Sequence, residues 1–187
     1  MDRDEAVADA ALRLSRAFHF AAERHVHQRR KGEAAEPYLN HLAEVADLVA
    51  EATGGGDVDL IVAALLHDVI EDTATSRATL AELFGEDVAG LVAEVTDDKS
   101  LPKAERKRLQ VAHAPSRSPR AKILKLADKT SNLRALAASP PADWSPDRRR
   151  AYVEWGREVV VGLRGACPEL ERLFDEAAAA AERSLSG

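Results

Sequence analysis

Apolar positions recur at intervals of three and four residues along most of this chain, the period of a helix with one buried face. Residues 4–29 read as one such helix, with Val7, Ala11, Leu14, Phe18 and Ala22 in register. A second helix follows from about Asn40 to Ala52, with Asn40 as its cap, His41 in its first turn and Leu42, Val45, Leu48 and Val49 turned inward. Gly54-Gly55-Gly56 breaks it, and Asp57 opens the next. Beyond a turn at 73–76, two short apolar helices cover 80–85 and 88–95. A polar stretch from Thr96 to Lys103 runs into Glu105–Arg108, and a long helix takes up Pro119–Ala137 until Pro140-Pro141 ends it. Ser145-Pro146 starts another, carrying Tyr152, Trp155, Val159, Val160 and Leu163, and a last, alanine-rich helix runs from Pro168 to Leu185. The prediction is an all-α protein of eight to ten helices, without repeats or long linkers, in a single domain over 1–187.

Two of these helices pass abruptly from apolar to ionisable. Leu60–Leu66 is apolar on every side and runs directly into His67-Asp68-Val69-Ile70-Glu71-Asp72. On a helix His67 lies beside Glu71 and Asp68 beside Asp72, four ionisable groups closing an apolar segment. Uncompensated, that costs stability. A bound metal with a polar ligand is the compensation that suits all four, whereas a lone His-Asp pair also occurs as a surface cap or a satisfied core histidine. The second is Ile123, Leu124, Ala127 and Ser131 on one face, with Asp128 and Asn132 stacked at its edge.

Composition narrows the setting. The 187 residues are 45% hydrophobic and 31% charged, with only 4% aromatic, which favours helix over sheet in a globular chain. Cys167 is the single cysteine, so no intrachain disulfide forms and a cytoplasmic location is expected. The acidic start is no signal peptide, and no apolar run reaches the length of a membrane span. A net charge of −6 argues against general nucleic-acid binding while leaving room for a small anion in a locally basic pocket. The run Arg24–Gly32, with Arg29, Arg30 and Lys31, reads either as a solvated helix end capped by Gly32 or as a phosphate-binding patch.

His41, His67, Asp68 and Asp128, from three predicted helices, form a mixed nitrogen and oxygen donor set. It suits Mn(II), with Zn(II) or Fe(II) as alternatives, and the lack of cysteine ligands argues against a structural zinc.

The order His41, then His67-Asp68, then Asp128 resembles the signature of the HD-domain metal-dependent phosphohydrolases. The flanking words Arg29-Arg30-Lys31, Pro37–His41, Ala63–Thr73, Glu94–Asp98 and Lys125–Arg134 are similar to the hydrolase domain of RelA/SpoT enzymes, and most of all to the stand-alone small alarmone hydrolases of the metazoan SpoT-homologue type. Glu71-Asp72 after the dyad marks that branch. The resemblance implies a helical bundle with a central metal-binding cleft, and Mn(II)-dependent removal of the 3′-diphosphate of (p)ppGpp to give GDP or GTP plus pyrophosphate. It implies His41, His67, Asp68 and Asp128 as metal ligands, and Glu71 and Asp72 as the pair that handles the attacking water. It further implies Arg30 and Lys31 on the base side of the nucleotide, Asn132 on the nucleoside, and Tyr152, Lys103 and Arg148 toward the phosphates. Thr130-Ser131 departs from the tyrosine or leucine common in relatives, and Ala135 and Ala138 are smaller than some relatives carry. These changes make an adenine alarmone (ppApp) or NADPH the alternative substrate. A non-catalytic nucleotide sensor is the third reading, and the intact six-residue set argues against it. With no room in 187 residues for a synthetase half, hydrolysis alone is expected.

Overall fold

The computed structural model describes residues 2–185, so residues 1, 186 and 187 of the predicted span lie outside it. The all-α expectation holds. Ten α-helices and one short 3-10 turn account for the described residues' regular structure, and the β-type pairing among them is a single isolated bridge, Arg29 to Pro37. No helix among them is long and apolar enough to cross a membrane. The helices gather into two compact units. One takes the chain up to Gln28 together with Tyr38–Thr96, and the other takes Arg29–Pro37 together with the chain from Asp97 onward.

In the first unit are α1 (Arg3–Arg24), α2 (Leu39–Ala52), α3 (Val58–Leu66), α4 (Val69–Asp72), α5 (Arg77–Phe84) and α6 (Glu86–Val95). Its centre is α3. A helix apolar on every side must be enclosed on every side, and each residue from Leu60 to Leu66 is buried, against α1, α2 and α6. The Asp57 carboxylate starts this helix by accepting the Leu60 backbone N–H.

Three boundaries differ from the sequence expectation. First, α1 stops at Arg24, not Arg29, and Gly32 is not its cap. The following residues satisfy their backbone among themselves, Arg30 N–H donating to Glu36 O and Tyr38 N–H to Gln28 O. Second, α2 is led in by Tyr38 with helical backbone and no side-chain cap, so Asn40 does not cap it. Third, the helix does not run unbroken through the His67-Asp68 dyad. The His67 ring Nδ1 lies 2.8 Å from Ala64 O, the acceptor that the next backbone N–H of a continuous helix would use, and a tight turn separates α3 from α4. Both dyad residues keep right-handed backbone and Asp72 N–H still reaches Asp68 O, so the one-turn spacing of the acidic pairs survives.

The second unit holds α7 (Lys103–His113), α8 (Pro119–Ala138), α9 (Pro146–Val161) and α10 (Pro168–Arg183). Ser118 and Ser145 cap α8 and α9, each followed by proline; the start at Ser145 is the one predicted from the sequence. The alanine face of α10 (Ala177, Ala178, Ala181) lets it lie close along α8, with Leu124, Leu133, Leu170 and Phe174 fully buried. Gly156 of α9 lies against the Phe174 ring, at a distance where a Cβ would make an ordinary van der Waals contact. Phe174→Ala removes the largest side chain of this core. It should cost about 3–5 kcal/mol and lower the thermal midpoint by roughly 10 °C, measurable by calorimetry.

Candidate metal centre and phosphate-binding groups

In the first unit one carboxylate oxygen collects the chemistry. Asp68 Oδ2 lies 3.1 Å from His67 Nε2 and 3.7 Å from His41 Nε2, and accepts a hydrogen bond from the Tyr38 hydroxyl at 2.5 Å. The two imidazole rings stand edge to face 5.2 Å apart, both buried, with ligand nitrogens within 4.8 Å of each other. His67 Nδ1 faces a carbonyl, which can only accept, so the Nδ1 proton is fixed there. In the neutral ring the Nε2 lone pair then points at a carboxylate oxygen, and two acceptors face each other. A cation between them resolves the conflict. A carbonyl that fixes the tautomer from behind is also how a ligating histidine is usually oriented. These donors fit a divalent metal.

Glu71 and Asp72 follow within one turn, both half-buried. Asp72 Oδ2 accepts from the Gln28 side-chain amide at 2.7 Å, a contact that sequence spacing does not reveal. Tyr38 was likewise legible only as part of a flanking word, although its position three residues before His41 puts both at the start of α2.

In the second unit Asp128 is buried on α8 among lysines. Lys125 Nζ is 3.1 Å and Lys129 Nζ 3.5 Å from its Oδ2, while Asn132 Nδ2 donates to its Oδ1 at 2.6 Å. The predicted stacking of Asp128 and Asn132 is thus a direct hydrogen bond. Asn132 in turn accepts from Arg30 at 3.3 Å. Burial pulls the Lys129 ammonium down to about 8, against the opposing pull of the Asp128 carboxylate. That ammonium sits 4.3 Å above the Trp155 ring. Thr130 and Ser131 are fully buried, and the Thr130 hydroxyl donates to Leu126 O, so this departure from the family words faces the core.

The same unit concentrates cations. Burial, then the charges of Lys31, Arg148 and Arg106, hold the Lys103 ammonium below its ordinary value. Lys107 is lowered too, first by burial and then by Lys103 and Arg148. Like charges held together in this way suit a polyanion. Tyr152 stands among them, 5.3 Å from both the Trp144 and Trp155 rings, with Lys107 above it and Arg148 over Trp144. The sequence named Tyr152, Lys103 and Arg148 but missed the aromatic partners that support them.

Arg30 and Lys31 are carried by the loop 29–37, and Gly32 fixes where that loop sits. A Cβ at Gly32 would lie 2.2 Å from Ser139 O at the end of α8, and the Ala34 N–H donates to the Ser139 hydroxyl at 2.9 Å. Gly32→Ala therefore forces the loop off α8. With Arg30 and Lys31 holding the nucleotide as the resemblance implies, the expected result is a KM raised about tenfold with kcat changed less and little loss of thermal stability, read from steady-state kinetics and a melting curve.

Comparison with known proteins supplies the context. A family model described as HD domain matches residues 17–154. The chain is 50% identical over 168 residues to a guanosine-3′,5′-bis(diphosphate) 3′-pyrophosphohydrolase of Xenopus tropicalis, covering 90% of this chain and 93% of that protein. It is 49% identical to the Homo sapiens protein of the same name, covering 86% and 90%. A solved structure described as a metazoan ortholog of SpoT that hydrolyzes ppGpp superimposes with a TM-score of 0.85 at 46% identity, covering 88% of this chain and 93% of that one.

Proposed function

Because this chain belongs to the HD-domain family, in its branch of stand-alone guanosine-3′,5′-bis(diphosphate) 3′-pyrophosphohydrolases, we propose that it hydrolyses (p)ppGpp at the 3′ position with Mn(II). Water attacks the phosphorus attached to the 3′ oxygen, the ester bond to the ribose breaks, and pyrophosphate leaves from GDP or GTP. The observation that supports this most directly is the convergence of His41 and His67 on Asp68, in a chain half identical to enzymes of that name.

His41, His67, Asp68 and Asp128 are the proposed metal ligands. A divalent cation held there would supply Lewis acidity to the phosphate and to the attacking water. Of Glu71 and Asp72, one takes the proton from the attacking water and the other orients it. Tyr38 holds Asp68 in place by donating to the same oxygen that the imidazoles face. Arg30 and Lys31 hold the base side of the nucleotide, Asn132 the nucleoside, and Lys103, Arg148 and Tyr152 the phosphates. Their positive charges stabilise the charge that builds on the transferred group. The whole chain acts as one hydrolase domain, in the cytoplasm, with a small nucleotide as its substrate.

The test is product analysis. With Mn(II), purified protein should convert ppGpp to GDP and pyrophosphate in equal amounts, faster than it attacks ppApp or NADPH. No release from ppGpp alongside clear turnover of either alternative would overturn the guanine assignment and leave the phosphohydrolase chemistry standing. The half-buried Ala135 and exposed Ala138 are where a different base preference would arise.

A further inference from the structure

We infer that Gln28 and His25 are positioning residues that hold Asp72, acting through hydrogen bonds rather than by touching the substrate. The inference rests on Asp72 being one of the two water-handling carboxylates. Asp72 ends α4, a helix of only four residues, and is followed by extended backbone at Thr73. So short an element orients a carboxylate poorly by itself.

The missing constraint comes from the turn after α1. Gln28 Nε2 donates to Asp72 Oδ2 at 2.7 Å, and Gln28 Oε1 lies 2.6 Å from His25 Nδ1. The polarity of this chain is forced. An ionised carboxylate only accepts, so the amide must present its nitrogen to Asp72 and its oxygen to His25, and His25 must carry its proton on Nδ1. The backbone fixes the same pair, with Gln28 N–H donating to His25 O.

His25 is buried, and its ring stacks on Tyr38 with centroids 5.3 Å apart and planes inclined by 29°. The Tyr38 hydroxyl is the donor to Asp68, and the Tyr38 N–H donates to Gln28 O. One imidazole therefore braces two arms, through Gln28 to Asp72 and through Tyr38 to Asp68. Donors of this kind behind working groups are typically worth 10- to 100-fold in activity. A glutamine that merely tied a turn to a helix would give a stability loss and nothing else.

The variants are Gln28→Leu, His25→Phe and the pair combined, assayed on ppGpp with Mn(II). His25→Phe keeps a ring on Tyr38 and removes only the donor to Gln28. Gln28→Leu should lower kcat about 10- to 100-fold with KM and Mn(II) affinity within about twofold. His25→Phe should lower kcat about threefold to tenfold, and the double variant should be no slower than Gln28→Leu because both break one chain of contacts. Nitrogen-15 NMR of the wild type should find the His25 proton on Nδ1. The inference is overturned by a Gln28→Leu kcat within twofold of wild type, by multiplicative losses in the double variant, or by a His25 proton on Nε2. The NMR reading needs no turnover, so it judges these contacts even if ppGpp proves not to be the substrate.

Discussion

Asp68→Ala should abolish turnover, by at least about a thousandfold in kcat, and added Mn(II) should not restore it. The size follows from what meets at this side chain. Its Oδ2 is faced by both imidazoles and held by Tyr38 at 2.5 Å, so alanine removes a proposed metal ligand, the group that opposes two histidine nitrogens, and the acceptor of the Tyr38 hydroxyl together. Loss of Lewis acidity alone withdraws several kcal/mol of transition-state stabilisation, and each 1.36 kcal/mol is about tenfold in rate. Metal linkage separates this from a folding defect. A ligand that binds only the native state stabilises it by about 2.7 kcal/mol at a hundred times its Kd, so Mn(II) should raise the wild-type melting temperature and leave that of Asp68→Ala unmoved. Without metal the variant should still unfold in one cooperative transition, somewhat below the wild type, because the Tyr38 hydroxyl loses its acceptor. EDTA should bring the wild type to the variant's rate, and Mn(II) should reverse that in the wild type only. Activity above about 1% in Asp68→Ala, or a melting shift with Mn(II) that matches the wild type, would remove Asp68 from the ligand set.

What could be read from the sequence was whatever local spacing determines. α3 is legible because a run apolar on all sides has nowhere to go but the core, and Asp57 caps it through a contact three residues away. The Ser145-Pro146 start of α9 and the Asp128 to Asn132 bond are equally local. The segment 25–38 was misread because its cations continue a helical-looking pattern while its backbone pairs across a turn, Arg29 against Pro37. The constraint that seats it, Gly32 against Ser139, joins residues far apart in the chain. Gln28 against Asp72 fails to show in the sequence for the same reason. The acidic pairs were placed correctly although the helix breaks at the dyad, since both dyad residues keep right-handed backbone through the turn. Periodicity reports which positions share a face, and on α1 it picked the wrong one: Val7 and Phe18 of the expected row are exposed, while Ala17, Phe20 and Ala21 are buried. It does not report which distant segment meets a face.

The second large effect belongs to the carboxylates after the dyad. Glu71→Gln and Asp72→Asn each keep shape and remove charge, and each should lower kcat by about 100- to 10,000-fold, the range of a positioned acid or base. Mn(II) stoichiometry and the metal-dependent melting shift should stay at wild-type values, which distinguishes both from Asp68→Ala. Asp72→Asn is the cleaner of the two, because an amide oxygen at that position can still accept from Gln28, so the orientation survives while the charge is lost. The two variants should differ in the dependence of kcat on pH. Removing the residue that takes the proton abolishes the acidic limb of the profile, since the group whose protonation stops the reaction is gone. Removing the residue that orients the water lowers the whole curve and leaves the limb in place. The double variant completes the argument: groups that act together on one water are not independent, so Glu71→Gln/Asp72→Asn should be no slower than the more damaged single variant. Two losses that multiply would mean that the carboxylates serve separate steps, and the assignment of one water to this pair would fall.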